Sequence, residues 1–93
     1  VLFKKEVRFL VQRLATTKKK TVGLKQTQKA VERGLASTVF VARDAEEKVR
    51  RPILEACRER GITVIEVDTM AELGKASGIQ VGTAVAALLM EVE

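Results

Sequence analysis

Histidine, tyrosine and tryptophan are absent from this chain of 93 residues, and Cys57 is its lone cysteine. Without an imidazole there is no Ser-His-Asp or Cys-His arrangement, and a single thiol cannot assemble a zinc site. The usual nucleophile, general-base and metal-ligand sets are thereby excluded, and no cofactor is implied. One cysteine forms no disulfide within the chain, which favours a reducing, cytoplasmic setting and leaves core packing as the role of Cys57. Long apolar runs are missing too. The longest, "VGTAVAALLM" from Val81 to Met90, is about half the ~20 residues that cross a bilayer, so it predicts a buried strand or core helix and no membrane partner. The opening "VLFKKEVRFLVQRL" has neither the continuous apolar block nor the small-residue cleavage site of a signal peptide.

What is present is a balance of apolar and charged residues. A hydrophobic content of 46% supports one compact core, so residues 1–93 are expected to form a single domain. The formal charge of +5 is uneven: residues 1–34 hold ten Lys and Arg against Glu6 and Glu32, a local net of +8, while the remainder has seven basic and ten acidic residues, a net of −3. One end of the chain is a cation, which suggests an anionic partner, nucleic acid ahead of a membrane surface. A plainly solvated face is the alternative.

Phe3, Val7, Leu10, Val11 and Leu14 recur at helical spacing, with Lys4, Lys5, Arg8 and Arg13 mainly between them. The chain therefore opens with an amphipathic helix over residues 1–15, its stripe expected in the core and a partner helix or lipid the alternative. "TTKKKTV" is a basic connection to a short extended piece near Val22. A second helix begins at Gly23, with Thr27, Ala30 and Val31 inward, and Arg33-Gly34 supplies a cation and a glycine stop. Lys25, Lys29 and Arg33 stack at i, i+4, i+8 on its outward side. "STVFVA", from Ser37 to Ala42, is rich in β-branched residues and predicts a strand.

Asp44 and Glu47 are spaced as a capping box for a third helix, in which Pro52, lacking a backbone N–H, is expected in the first turn. Ile53, Cys57 and Leu54 face inward and Gly61 ends the segment. "ITVIEV" is a strand, Thr69 and Glu72 form a second capping box for a short helix around "MAELGKA", and "SGIQVG" is a loop. "TAVAALLM" then has the two-sided apolar character of a central strand. This alternation predicts an α/β fold, a three-layer α/β/α sandwich with a small, mostly four-stranded mixed sheet.

An enzyme would need converging titratable groups, yet Asp44, Glu46, Glu47, Glu55, Glu59 and Glu72 fall in capping or solvent-facing positions, so a non-enzymatic protein is expected. "GIQVG" precedes a strand rather than a helix and lacks the Lys-Ser/Thr of a P-loop.

"GLKQTQKAVERG", the β-branched strand after it, "ARDAEE" and "ELGKASGIQVGTAVAAL" occur in this order across residues 16–90. Together they resemble the ribosomal-protein family that includes archaeal large-subunit protein 7Ae and eukaryotic large-subunit protein 30e. The likeness is strongest to the small bacterial members, which keep the Gly-x-Lys-Gln-Thr opening. The resemblance implies an α/β/α sandwich and a structured RNA partner containing a kink-turn, a bend built on tandem sheared G·A pairs, with the ribosome as one setting. It also implies roles. Gly23, Lys25, Gln26 and Lys29 match the helix opening, where glycine lets backbone approach a phosphate and the polar side chains after it meet guanine edges. Arg33 extends that cationic side. Glu46 falls near an acidic position that contacts an extruded nucleotide, and Gly78, Ile79, Gln80 and Val81 match an apolar loop that closes over bent bases. Archaeal members carry Asn-Glu where this chain has Lys25 and Gln26, so an acceptor for guanine donors is missing and target choice is expected to differ.

Elementary chemistry is consistent with these roles. Helix-end amides, Lys25 and Lys29 suit phosphates, Gln26 offers both donor and acceptor to a purine edge, and Ile79 and Val81 offer apolar cover to bases. Taken singly, each has a bland counterpart: a chain turn at Gly23, solvation at Lys25 and Lys29, edge packing at Ile79 and Val81. A second functional class also stays open, a protein-interaction module docking an acidic partner through its basic N-terminal helix.

Overall fold

The structure, a computed structural model, describes residues 4–90. Its elements run α1 (Lys4–Thr16), β1 (Lys20–Val22), α2 (Leu24–Glu32), β2 (Ala36–Ala42), α3 (Glu47–Arg60), β3 (Thr63–Val67), α4 (Met70–Ala76) and β4 (Val85–Leu89). The four strands form one mixed sheet in the order β1-β4-β2-β3. The β2–β3 pair is parallel, and β4 is antiparallel to both β1 and β2.

The two central strands explain the three-layer form. Side chains alternate across a sheet, so Val39 and Val41 of β2 and Val85 and Ala87 of β4 face one layer, where Ala30, Val31, Ile53 and Cys57 of α2 and α3 meet them. Phe40 and Ala42, with Ala86, Leu88 and Ile65 of β3, face the other layer against Leu14 of α1 and Leu73 of α4. A strand buried on both faces has no polar period, which is why these runs are apolar throughout. Burial of Phe40, which is 0% exposed, is worth about 2–3 kcal/mol. Cys57 is a core residue, and burial pushes its thiol pKa up, so it stays protonated.

The amphipathic opening is α1, with Leu14 buried and Val7, Leu10 and Val11 packed against the same core. Phe3 lies outside the described residues. Two expectations need correction. Asp44 does not cap α3: its N-cap is Glu46, with no side-chain cap, and Asp44 Oδ1 instead accepts the Met70 N–H at 2.7 Å, at the start of α4. Two further residues, Ala45 and Glu46, separate Asp44 from the helix, so the box register is lost while Met70 comes within reach. Nor does Pro52 sit in a first turn. The helix is continuous from Glu47 to Arg60 with Pro52 inside it. Buried Ile53 and Cys57 hold the following turns to the core, and the Glu47–Arg51 ion pair spans the turn that lacks its N–H donor. Lys48 and Pro52 are both exposed, so the undonated carbonyl lies on the solvent side.

Candidate nucleic-acid interface

The register collects four chain segments at one end of the sheet. Val22 pairs with Ala86, Val41 with Val85 and Ala42 with Val67, so β1, β2 and β3 all finish where β4 begins. The Gly23 N–H donates to the Val85 carbonyl at 3.0 Å and the Ala42 N–H to the Ala84 carbonyl at 2.8 Å. The start of α2, the turn after β2, the start of α4 and the loop before β4 therefore adjoin.

At the start of α2, Gly23 has φ 102° and ψ 158°, a backbone that L side chains rarely adopt, and open space where a Cβ would stand. No side chain caps the helix and its first turn carries no acid. The leading N–H groups of Leu24, Lys25 and Gln26 precede the first ladder bond, Thr27 N–H to Gly23 O at 3.1 Å, and they carry the positive end of the helix dipole. Lys25 and Gln26 are exposed beside them. Thr27 in the same motif is structural: it is 0% exposed, and its hydroxyl pairs with that of Thr21 at 2.9 Å. Lys29 lies one turn on from Lys25, and Arg33 is the C-cap, roughly 12 Å from Lys25 along the axis by helical rise. Gln26, Lys29 and Arg33 line a shallow groove with Thr21, Leu35 and Leu89 beside the edge strand β1.

The loop between α4 and β4 is pinned from several sides. The Ile79 N–H donates to Gly74 O at 3.0 Å and the Thr83 N–H to Met70 O at 3.1 Å. Gly82 lies against Met70, and Gly74 lies so close to Val81 that a Cβ there would overlap the Val81 carbonyl. Gly78 turns the chain with φ 82°. Between these pins Ile79 is half-buried, Gln80 is exposed and Val81 is 70% exposed. An aliphatic side chain held that far out by a fixed backbone is available to cover an apolar surface.

Glu46 stands exposed at the start of α3, 3.4 Å from the Lys48 ammonium, a surface pair of little energetic weight. Asp44 ties the turn after β2 to α4, whose own cap is Thr69 Oγ1, accepting the Glu72 N–H at 3.0 Å. Arg43 in this turn lies 3.7 Å from Glu66 and 3.9 Å from Asp68, so its charge is locally balanced. Asp44→Ala is expected to cost about 1 kcal/mol in urea unfolding, the usual value of a lost cap, while Glu46→Ala changes stability by less than about 0.5 kcal/mol. Among the described residues, no three His, Cys, Asp or Glu side chains are grouped to hold a metal ion, and no helix is long and apolar enough to cross a membrane.

Residues 5–93 match the ribosomal protein L7Ae/L30e/S12e/Gadd45 family. The chain belongs to this family. Within the curated relatives, an RNA-binding protein of Caldanaerobacter subterraneus subsp. tengcongensis is 52% identical over 69 residues, which are 74% of this chain and 84% of that protein. The large ribosomal subunit protein eL8 of Halobacterium salinarum is 46% identical over 68 residues, 72% of this chain and 57% of that one. Among solved structures, a Giardia lamblia 15.5 kD RNA-binding protein superposes with a TM-score of 0.81 at 25% identity, covering 97% of this chain and 79% of the other.

In this L7Ae-family chain, the structure gathers Gly23, Lys25, Gln26, Glu46 and the Gly78–Val81 loop around one end of the sheet, with Lys29 beside them and Arg33 toward the far end. Sequence reading missed what shapes that end. Asp44 was assigned to the wrong helix, and Gly74 and Gly82 were passed over although each meets backbone across a loop. A glycine inside the helical "MAELGKA" was the available signal, because an interior helix glycine without a contact reason costs about 1 kcal/mol.

Proposed function

We propose that this chain is a non-enzymatic RNA-binding protein that recognises or stabilises kink-turn motifs, in ribosomal RNA or a structured leader. The observation that carries this reading is the pairing, at one sheet end, of an uncapped, acid-free helix start opened by Gly23 with a loop that holds Val81 70% exposed. The relatives named as RNA-binding proteins and as a large-subunit ribosomal protein support the RNA class. A kink-turn offers what this end can use: crowded phosphates for the α2 amides, Lys25 and Lys29, purine edges for Gln26, and unstacked base faces for Ile79 and Val81. Glu46 reaches toward an extruded nucleotide, and Arg33 adds a phosphate contact further along the RNA.

Side-chain changes separate these contributions. Gln26→Ala removes a donor and an acceptor and is expected to cost roughly 1–3 kcal/mol, mainly against kinked RNA. Lys29→Ala weakens all RNAs more evenly and flattens the salt slope, because a lysine on the helix flank meets phosphate rather than base. Serine at both Ile79 and Val81 lowers selectivity for the kink with net charge unchanged. If the basic first helix is instead a protein-docking element, these three variants do little, and reversing the charges of Lys4, Lys5 and Arg8 abolishes partner binding. Filter binding of each variant to kinked and straight RNA, with circular dichroism to check folding, decides the matter. An unaltered kink affinity in both Gln26→Ala and the double serine variant refutes the proposal.

A further inference from the structure

Lys20 is the one lysine of the "TTKKKTV" connection whose ammonium points inward. Alternation along β1 sets this direction. Thr21 faces α2, where its hydroxyl meets Thr27 at 2.9 Å, so Lys20 faces the opposite layer of α1 and α4. There its Nζ donates to the Leu14 carbonyl at 2.9 Å and to the Ser77 carbonyl at 2.7 Å. Leu14 lies in the last turn of α1 and Ser77 is the C-cap of α4, so both acceptors belong to helix ends. Terminal carbonyls lack in-helix donors and carry the negative end of the dipole, which makes an ammonium their natural partner. Ser77 is itself buried, with its hydroxyl donating to Leu73 O at 2.7 Å.

Ser77 is also where the candidate RNA loop leaves the helix. The next residue, Gly78, has φ 82°, and a Cβ there would stand 3.6 Å from the Lys20 Nζ and 3.9 Å from the Ala15 carbonyl. Beyond it the Gly78 and Ile79 N–H groups donate to Lys75 O and Gly74 O at 3.1 and 3.0 Å. The ammonium thus fixes the first step of the loop, the Thr83 bond to Met70 fixes the last, and Gln80 and Val81 are presented between them. A binding loop fixed before the ligand arrives avoids the ordering cost that a loose loop incurs on binding.

We propose that Lys20 is a positioning residue: it clamps the start of the Gly78–Val81 loop and thereby sets selectivity for kinked over straight RNA, without touching the RNA. The proposal rests on the kink-turn reading, and its role differs in kind from that of Lys25 or Lys29. A phosphate-contacting lysine acts equally on every RNA and contributes to the salt slope, whereas a clamp acts on the kink alone and leaves the slope on straight duplex unchanged.

Lys20→Met, which keeps an unbranched stem and removes the ammonium, tests this in two measurements. Hydrogen exchange of the RNA-free protein is expected to show faster exchange at Gly78 and Ile79 in the variant, with α2 amides unchanged. Binding is expected to show about tenfold weaker affinity for kinked RNA, with affinity and salt slope on straight duplex retained. Gly78→Ala, whose left-handed backbone strains the same loop without a change of charge, is expected to shift selectivity in the same direction and carries the test should Lys20→Met fail to fold. Equal losses on both RNAs with a shallower slope, or unchanged exchange at Gly78 and Ile79, overturn the clamp. A wild-type chain with no kink preference refutes the kink-turn reading and the selectivity half of this inference together, while the exchange comparison still decides whether Lys20 holds the loop.

Discussion

A tenfold rise in monovalent salt is expected to weaken binding of RNA by about 2 to 4.5 orders of magnitude. Three to five phosphate contacts, each lowering log K by about 0.7–0.9 per decade of salt, give that range. The contact number follows from where cations are available. Lys18, Lys19, Lys25, Lys29 and Arg33 are exposed within the +8 segment, residues 1–34, whereas Lys20 is engaged by two carbonyls. In the net-negative remainder, Arg43 and Arg50 lie within 4 Å of Glu66, at 3.7 and 3.6 Å, and contribute less. A titration of affinity against salt at fixed pH measures the slope. A slope near zero would place the binding in apolar and neutral hydrogen-bonding contacts and remove the cationic segment from the account.

Gly74→Ala is expected to destabilise the protein, against the usual direction for a glycine inside a helix. In an exposed helix the change stabilises by about 1 kcal/mol through backbone entropy and propensity. At Gly74 the new methyl would overlap the Val81 carbonyl, with its carbon at 2.9 Å and the Gly82 Cα at 3.0 Å. These are backbone atoms and cannot rotate away, so the loop or the helix must shift, at an overpacking cost of roughly 1–3 kcal/mol drawn from the upper part of that range. The clash outweighs the propensity gain. Because the displaced atoms belong to the candidate base-covering loop, kink selectivity should fall with stability. Urea unfolding reads the first effect and RNA competition the second; a more stable Gly74→Ala protein would mean that the loop does not pack on α4 as described.

The contrast between these residues shows what a sequence makes legible. Contiguous signals were readable: the β-branched run that became β2, the Thr69 cap of α4, the glycine at the start of α2, and the two-sided apolar character of β4. Each is a local consequence of backbone period or capping chemistry. The strand order β1-β4-β2-β3 was not readable, because pairing between β1 and β4 is set by packing across the whole chain. The same holds for single side chains. Asp44 finds its partner 26 residues away and Lys20 reaches a carbonyl 57 residues away, so neither bond leaves a spacing signature. Pro52 shows the opposite failure, a strong local signal overridden by the burial of Ile53 and Cys57. The motif residues Gly23, Lys25 and Gln26 were legible because one helix start carries all three, whereas their proximity to the Gly78–Val81 loop depends on the Gly23–Val85 bond.

The central claim, recognition of a bent RNA by this end of the sheet, is tested most directly by one gel-shift comparison in moderate salt. One lane series uses a kink-turn RNA and the other the same duplex with its bulge removed, so that phosphate number is nearly constant and shape differs. The account predicts clearly tighter binding to the kinked RNA, at least about tenfold, with a preference that persists as salt rises because base-edge and apolar contacts are not screened. Equal affinity for the two RNAs at every salt concentration would leave only nonspecific attraction by the cationic segment and would contradict it.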